Sequence, residues 1–166
     1  MTLNTTIIPQ AETQDWLKDD PRVITHIAQA YRECIPTALN PLTFDPRFLI
    51  NNHIVNLDFI ENPMFLIGFH HLSHTVLAVL YVYPAFRNQG IGSYLIQALQ
   101  QQTKLTIQVA VDASQPRLGK LYCDNGFETL GIEKKDDLGV GYIDYFWSPR
   151  PFRLEPTDSG TNIIPV

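Results

Sequence analysis

The residues best equipped for chemistry form one run, Tyr81-Val82-Tyr83-Pro84-Ala85-Phe86-Arg87-Asn88-Gln89-Gly90-Ile91-Gly92-Ser93. It begins where a strongly apolar stretch ends and passes into helical spacing at Gly90. Backbone N–H groups in the first turn of a helix lack intrahelical partners, and the helix dipole adds partial positive charge there, so an anion is their natural ligand. Gly90 and Gly92 remove the side chains that would hold a phosphate off the backbone, and Arg87 brings a formal charge. The pattern Arg-x-x-Gly-x-Gly therefore predicts a phosphate cradle. The dinucleotide fingerprint needs a third glycine and the P-loop a lysine after its last glycine, and both are missing. A nucleotide-binding α/β protein using the same cradle for another phosphate remains an alternative at this level.

A second set of candidates is His70, His71 and His74, which gather around one turn and titrate in the range useful for proton transfer. Adjacent residues of a strand face opposite ways, so His70 and His71 cannot both enter one cleft. His74 is the candidate general base. Cys34 and Cys123 stand apart, without metal-ligand or disulfide spacing. No metal site is expected, and a reducing compartment is.

These residues need a scaffold, and hydrophobic periodicity outlines it. Leu3 to Ile8 reads as a short strand. Asp20-Pro21 is a helix-start signal, and Val23, Ile27, Ala30 and Tyr31 recur at helical spacing over 21–34. Three prolines between Ile35 and Arg47 exclude a long helix there. Strands follow over His53 to Ile60, Met64 to Leu72 and Thr75 to Val82, the last so continuously apolar that it needs cover on both faces. Gly90 to Gln102 is a helix, Lys104 to Val111 an alternating strand, and Gln115 to Asp124 a helix closed by Asn125-Gly126. Phe127 to Glu133 and Tyr142 to Trp147 read as the last strands, around the turn Lys134 to Gly141. Beyond Ser148, four prolines in eighteen residues predict an extended tail. The element order implies one α/β layered domain with a mixed sheet over 1–148 and a proline-containing tail over 149–166.

Composition agrees. The 166 residues carry twelve Lys plus Arg against seventeen Asp plus Glu, a net charge of −5, with 45% hydrophobic and 17% charged residues. A chain of this length closes one core without staples. The acidic balance excludes a general nucleic-acid binder, which needs a basic stripe to displace counterions. With no secretory signal and no apolar run of spanning length, the expectation is a cytoplasmic protein that does not span a membrane.

The strand ending Val-x-Pro followed by Arg87-x-x-Gly90-x-Gly92 resembles the cofactor-binding motif of the GNAT superfamily of N-acetyltransferases. A second stretch, Gln115-Pro116-Arg117-Leu118-Gly119-Lys120-Leu121-Tyr122-Cys123-Asp124-Asn125-Gly126-Phe127-Glu128, is similar to that family's later helix, with Arg117, Leu121, Tyr122, Gly126 and Phe127 on matching positions. The motifs cover 75–128, and element order extends the resemblance over 1–147. It implies a GNAT-like mixed, mostly antiparallel central sheet of about six to seven strands flanked by helices. It also implies acetyl-CoA as co-substrate. The pyrophosphate would lie on the backbone amides of Arg87, Asn88, Gln89, Gly90, Ile91 and Gly92, continued by Ser93, and the thioester carbonyl would be received at Leu80, Tyr81 and Val82. Tyr122 takes the general acid's place, its ordinary pKa of about 10 lying near that of an alkyl thiol.

Departures from the family pattern are equally specific. Gln115 stands where an Asn usually contacts the cofactor. Leu118 and Gly119 replace small or apolar helix residues, and Gly119 costs on the order of 1 kcal/mol of helix propensity. The carboxylate that some relatives carry on a central strand is absent from both 75–82 and 104–111. The implied activity is transfer of an acetyl group to a primary amine of a small molecule, peptide or protein, by a monomer or homodimer. The alternative is a non-catalytic acyl-CoA-binding domain that acts through a protein partner.

Overall fold

The computed structural model describes residues 6–8, 21, 25, 29, 33, 53–58, 64–71, 74–136 and 139–166. Its elements run β1 (Thr6–Ile8), β2 (His53–Asp58), β3 (Met64–His71), β4 (His74–Tyr81), a 3-10 turn (Pro84–Phe86), α1 (Ile91–Gln102), β5 (Thr106–Asp112), α2 (Pro116–Asp124), β6 (Glu133–Lys135), β7 (Gly141–Trp147), β8 (Phe152–Thr157) and β9 (Gly160–Pro165). Pro21, Thr25, Gln29 and Glu33 also have helical backbone, four residues apart, as the predicted helix over 21–34 requires. Seven strands form one sheet in the order β1-β2-β3-β4-β5-β7-β6. The pairs β1–β2, β2–β3, β5–β7 and β6–β7 are antiparallel, while β4–β5 is parallel. Parallel neighbours need a crossover, and α1 lies in that connection. This is the α/β architecture with a mixed, mostly antiparallel sheet that the sequence implies.

The chain divides into two compact units, Met1–Phe69 with Ala78–Leu99, and His70–Leu77 with Gln100–Val166. The first unit holds the end of β4 and most of α1. Val79 and Tyr81 are buried on the strand, and Ile91, Leu95, Ile96 and Leu99 on the helix. Those helix positions are four, five and eight residues beyond Ile91, so one stripe of an uncharged helix faces inward. Burying Leu95 and Ile96 completely contributes roughly 2 kcal/mol each.

The second unit is built on β5, where Ile107, Val109 and Val111 are buried and Ala110 is exposed. The period of two marks a strand with one covered face. Tyr122, Phe127 and Phe146 add to this core. α2 ends as expected at Asn125-Gly126: the Asn125 amide donates to the Tyr122 carbonyl at 3.0 Å and the Gly126 amide to the Cys123 carbonyl at 3.0 Å.

Two expectations need correction. The stretch Phe127 to Glu133 is not a strand. Only Glu128 bridges to Phe146, Gly131 turns into the left-handed region at φ 69°, and Thr129 uses its hydroxyl to donate to the Asp144 carbonyl at 2.7 Å. The pairing strand is instead Glu133–Lys135, so the turn shrinks to the residues between Lys135 and Gly141. Beyond Ser148 the chain forms an antiparallel hairpin, β8–β9, with Thr157 opposite Gly160. Prolines 151, 156 and 165 sit at its rim or on its strands, a placement that a two-stranded ribbon tolerates because its edges need no ladder partner.

Asp144 is the buried charge of the second unit, 5% exposed. Lys134 Nζ meets its Oδ2 at 2.7 Å, and Gln108 Nε2 donates to Oδ1 at 3.4 Å. The same ammonium occupies the space where a Cβ on Gly160 would lie, so it also seats the start of β9. Replacing Lys134 by Met leaves the carboxylate buried without its cation. Denaturant unfolding of Lys134→Met should show a loss of about 3 kcal/mol, and an unchanged midpoint would show that the pair is not desolvated.

Candidate active site

The predicted cradle forms as a strand-to-helix junction within the first unit. β4 ends at Tyr81, and the 3-10 turn at Pro84–Phe86 begins with a bond from the Phe86 amide to the Tyr83 carbonyl at 2.9 Å. The chain then reverses through two left-handed residues, Asn88 at φ 63° and Gly90 at φ 81°. Asn tolerates that region, and for Gly it carries no steric cost. Tyr94 N–H donates to the Gly90 carbonyl at 3.0 Å, the first bond of α1, so the amides of Ile91 and Gly92 precede the helical ladder. No acidic side chain lies in that first turn. Among the described residues, a Cβ added to Gly90 would meet no atom within 4 Å. Ile91 is buried beneath, while Asn88, Gln89 and Gly90 are exposed. This shape and polarity suit a diphosphate approaching the helix end.

The Arg87 side chain is engaged by Glu33 and by the end of β4. Its Nη2 donates to Glu33 Oε2 at 2.9 Å, its Nε donates to the Val82 carbonyl at 2.9 Å, and its guanidinium lies 5.6 Å from the centre of the Tyr81 ring. Glu33 also accepts hydrogen bonds at Oε1 from Tyr81 Oη and Gln29 Nε2, both at 3.2 Å. Burial pushes the Glu33 carboxyl upward, but hydrogen bonds from Arg87, Gln29 and Tyr81 and the charge of Arg87 outweigh it and hold the group below its ordinary value. Burial and the neighbouring Glu33 carboxylate push the Tyr81 hydroxyl up, so it remains a donor. Glu33 escapes a reading by motif. It is, however, the one acidic residue between Pro21 and Cys34, a lone carboxylate in a predicted amphipathic helix.

His74 opens β4, half-buried, in register with Thr106 of β5. The β4–β5 register covers His74 to Val76. Tyr81 closes the same strand seven residues further along the sequence. His70 and His71 fall on β3, with side chains outside the described residues.

The second unit carries the other predicted residues. Gln115 is the exposed N-cap of α2, its carbonyl accepting from Leu118 N–H at 3.0 Å and its side chain making no capping bond, with Pro116 following at the first helical position. Tyr122 is 4% exposed, edge-on to Phe127 at 5.2 Å between ring centres and tilted against Tyr145 at 6.2 Å. Gly119 now has a cause: the hydroxyl of Tyr145 fills the space a Cβ would take. Burial, and secondarily Cys123, push that Tyr145 hydroxyl up. Lys120 is paired with Asp124 one turn on, at 2.6 Å, and Arg117 is exposed. Among the described residues no group of three or more His, Cys, Asp or Glu gathers to hold a metal ion, and no helix is long and apolar enough to cross a membrane.

Residues 58–129 match the family described as the acetyltransferase (GNAT) domain. Over that stretch the chain is similar to a GNAT acetyltransferase domain. The matched stretch runs from the end of β2 to just past α2 and contains the whole GNAT cradle together with Tyr122. Mycothiol acetyltransferase of Amycolatopsis mediterranei (strain U-32) is 31% identical over 85 residues, which is 48% of this chain and 27% of that relative. This chain thus matches about a quarter of that protein's length. An aminoglycoside 6'-N-acetyltransferase complexed with coenzyme A superposes with a TM-score of 0.61 at 14% identity, covering 88% of this chain and 99% of that one. yncA from Salmonella typhimurium, solved with its cofactor acetyl-CoA, superposes with a TM-score of 0.59 at 13% identity, covering 93% and 99%. At such identities these neighbours establish the GNAT fold.

Within this GNAT fold Gly119 offers a direct test of the packing around Tyr122. Ala at 119 gains about 1 kcal/mol of helix propensity but must displace the Tyr145 hydroxyl, which costs about 1–3 kcal/mol. Urea unfolding of Gly119→Ala should show a net loss near 1 kcal/mol. A gain of that size would mean the hydroxyl does not sit over the helix.

Proposed function

We infer that the chain is an acyl-CoA-dependent N-acetyltransferase that moves an acetyl group from acetyl-CoA to a primary amine by direct attack on the thioester. The observation that carries this reading is the cradle inside the matched GNAT segment: two left-handed residues, helix-start amides ahead of the ladder, and no described atom within 4 Å of a Cβ at Gly90. Acetyl-CoA supplies an activated thioester. The amides at Gly90 to Ser93 receive its diphosphate, and backbone at Leu80 to Val82 orients the carbonyl. The attacking amine forms the new C–N bond as the C–S bond breaks, and the departing thiolate takes a proton from the Tyr122 hydroxyl. The amine gives up its proton to His74, the candidate base, or to a water chain. Gln115, exposed at the start of α2, is the residue proposed for a further cofactor contact. A reducing, cytoplasmic setting suits the free, exposed Cys123.

The rival is an acyl-CoA-binding domain without turnover, favoured by the lack of a carboxylate along β4. A thiol-release assay over an amine panel separates the two. Tyr122→Phe should lower kcat about a hundredfold while coenzyme A affinity stays within about threefold; coenzyme A binding with no turnover on any amine would favour the rival. Calorimetry that detects ATP and no coenzyme A would sink both.

The cradle has its own test. Val at position 90 puts a β-branched residue into the left-handed region, at a cost of about 1–3 kcal/mol, and fills the space over the backbone. Gly90→Val should weaken coenzyme A binding at least tenfold by calorimetry at a temperature where the variant remains folded. Unchanged affinity would place the phosphates elsewhere.

A further inference from the structure

The carboxylate of Glu33 collects three donors from three places: Gln29 one turn back on its own helix, Tyr81 at the end of β4, and Arg87 in the cradle loop. Arg87 also donates from Nε to the Val82 carbonyl and lies over the Tyr81 ring. Its guanidinium thus contacts both the helical carboxylate and the end of the strand. We propose that Glu33 is a positioning residue for the cradle, acting through Arg87 to hold the loop between Tyr83 and Gly90 in the conformation that offers the first-turn amides to the diphosphate of an acyl-CoA. This rests on the acyl-CoA reading above.

Left-handed backbone at Asn88 and Gly90 is permitted by those residue types but not fixed by them, so a contact from outside the loop adds to its order. A second side-chain bond of the loop, Gln89 Nε2 to the Ala85 carbonyl at 3.5 Å, is long and stays inside the loop. Arg87 is the side chain that ties the loop outward. Stability is not what the pair supplies: with side chains 46% and 39% exposed, the Arg87–Glu33 bridge adds little to folding. Its effect lies in preorganisation. If losing the tie drops the competent loop to about a tenth of the population, apparent affinity falls about tenfold. A general-base role suits Glu33 poorly, because its three donors and the Arg87 charge stabilise the deprotonated form and so weaken it as a proton acceptor.

The test is a double-mutant cycle in coenzyme A affinity, measured by calorimetry on the wild type, Glu33→Gln, Arg87→Gln and the double variant. Each single change should weaken binding about tenfold, with the double no weaker than the worse single and melting temperatures within about 3 °C of the wild type. Tyr81→Phe, which removes one of the three donors, should give a smaller loss of about threefold. Hydrogen exchange of the ligand-free protein supplies a second readout: amides between 83 and 90 should exchange faster in Glu33→Gln while those in β5 do not change. That arm stands even if the wild type ignores coenzyme A, a result that would overturn the acyl-CoA reading by itself. Additive losses in the cycle, or unchanged coenzyme A affinity with a raised KM for the amine, would overturn the proposal. The second result would assign Glu33 to the acceptor.

Discussion

The first unit depends on a reversal of the backbone between a buried strand and an uncharged helix. β4 brings Val79 and Tyr81 into the core, α1 returns Ile91, Leu95, Ile96 and Leu99 to it, and the chain has nine residues between Tyr81 and Ile91 in which to turn. Left-handed φ at Asn88 and Gly90 makes the turn tight enough. The same geometry leaves helix-start amides pointing outward with no carboxylate beside them. Packing and the proposed ligand chemistry would be served by one conformation: the helix must start there to bury its stripe, and starting there leaves first-turn amides available to an anion.

The second unit shows the converse, a local cost accepted for a tertiary contact. A glycine inside a nine-residue helix weakens it, and Lys120 with Asp124 returns only a few tenths of a kcal/mol on the exposed face. What the glycine permits is the close approach of Tyr145 to α2, which in turn packs its ring against Tyr122. The orientation of the proposed acid is therefore set from β7 as well as from its own helix.

Elements with a clear period were legible in the sequence. β4, α1, β5 and α2 are where alternation or helical spacing places them, within two residues, because one face of each is buried and a shift of register would expose it. The cradle was legible because glycine spacing at a strand-to-helix junction has few other uses. Three things were not. Phe127 to Glu133 has strand-like residues, but Thr129 and Gly131 divert the backbone into a turn that side-chain hydrogen bonds stabilise. The hairpin after Ser148 lacks the usual Asn-Gly signal, its two turn residues being Asp158 and Ser159. Glu33 and Arg87 are 54 residues apart, and nothing local announces that a helix carboxylate and a loop cation will meet.

Gly119 and Tyr145 carry a consequence for how such a chain can drift. Alanine at 119 is a single substitution away and is the better helix former, yet it is blocked while the hydroxyl stands over it. Phenylalanine at 145 would remove the nearest atom and leave a ring carbon at 3.0 Å. The two positions are therefore coupled, and alanine at 119 is better tolerated after the strand residue has changed than before it.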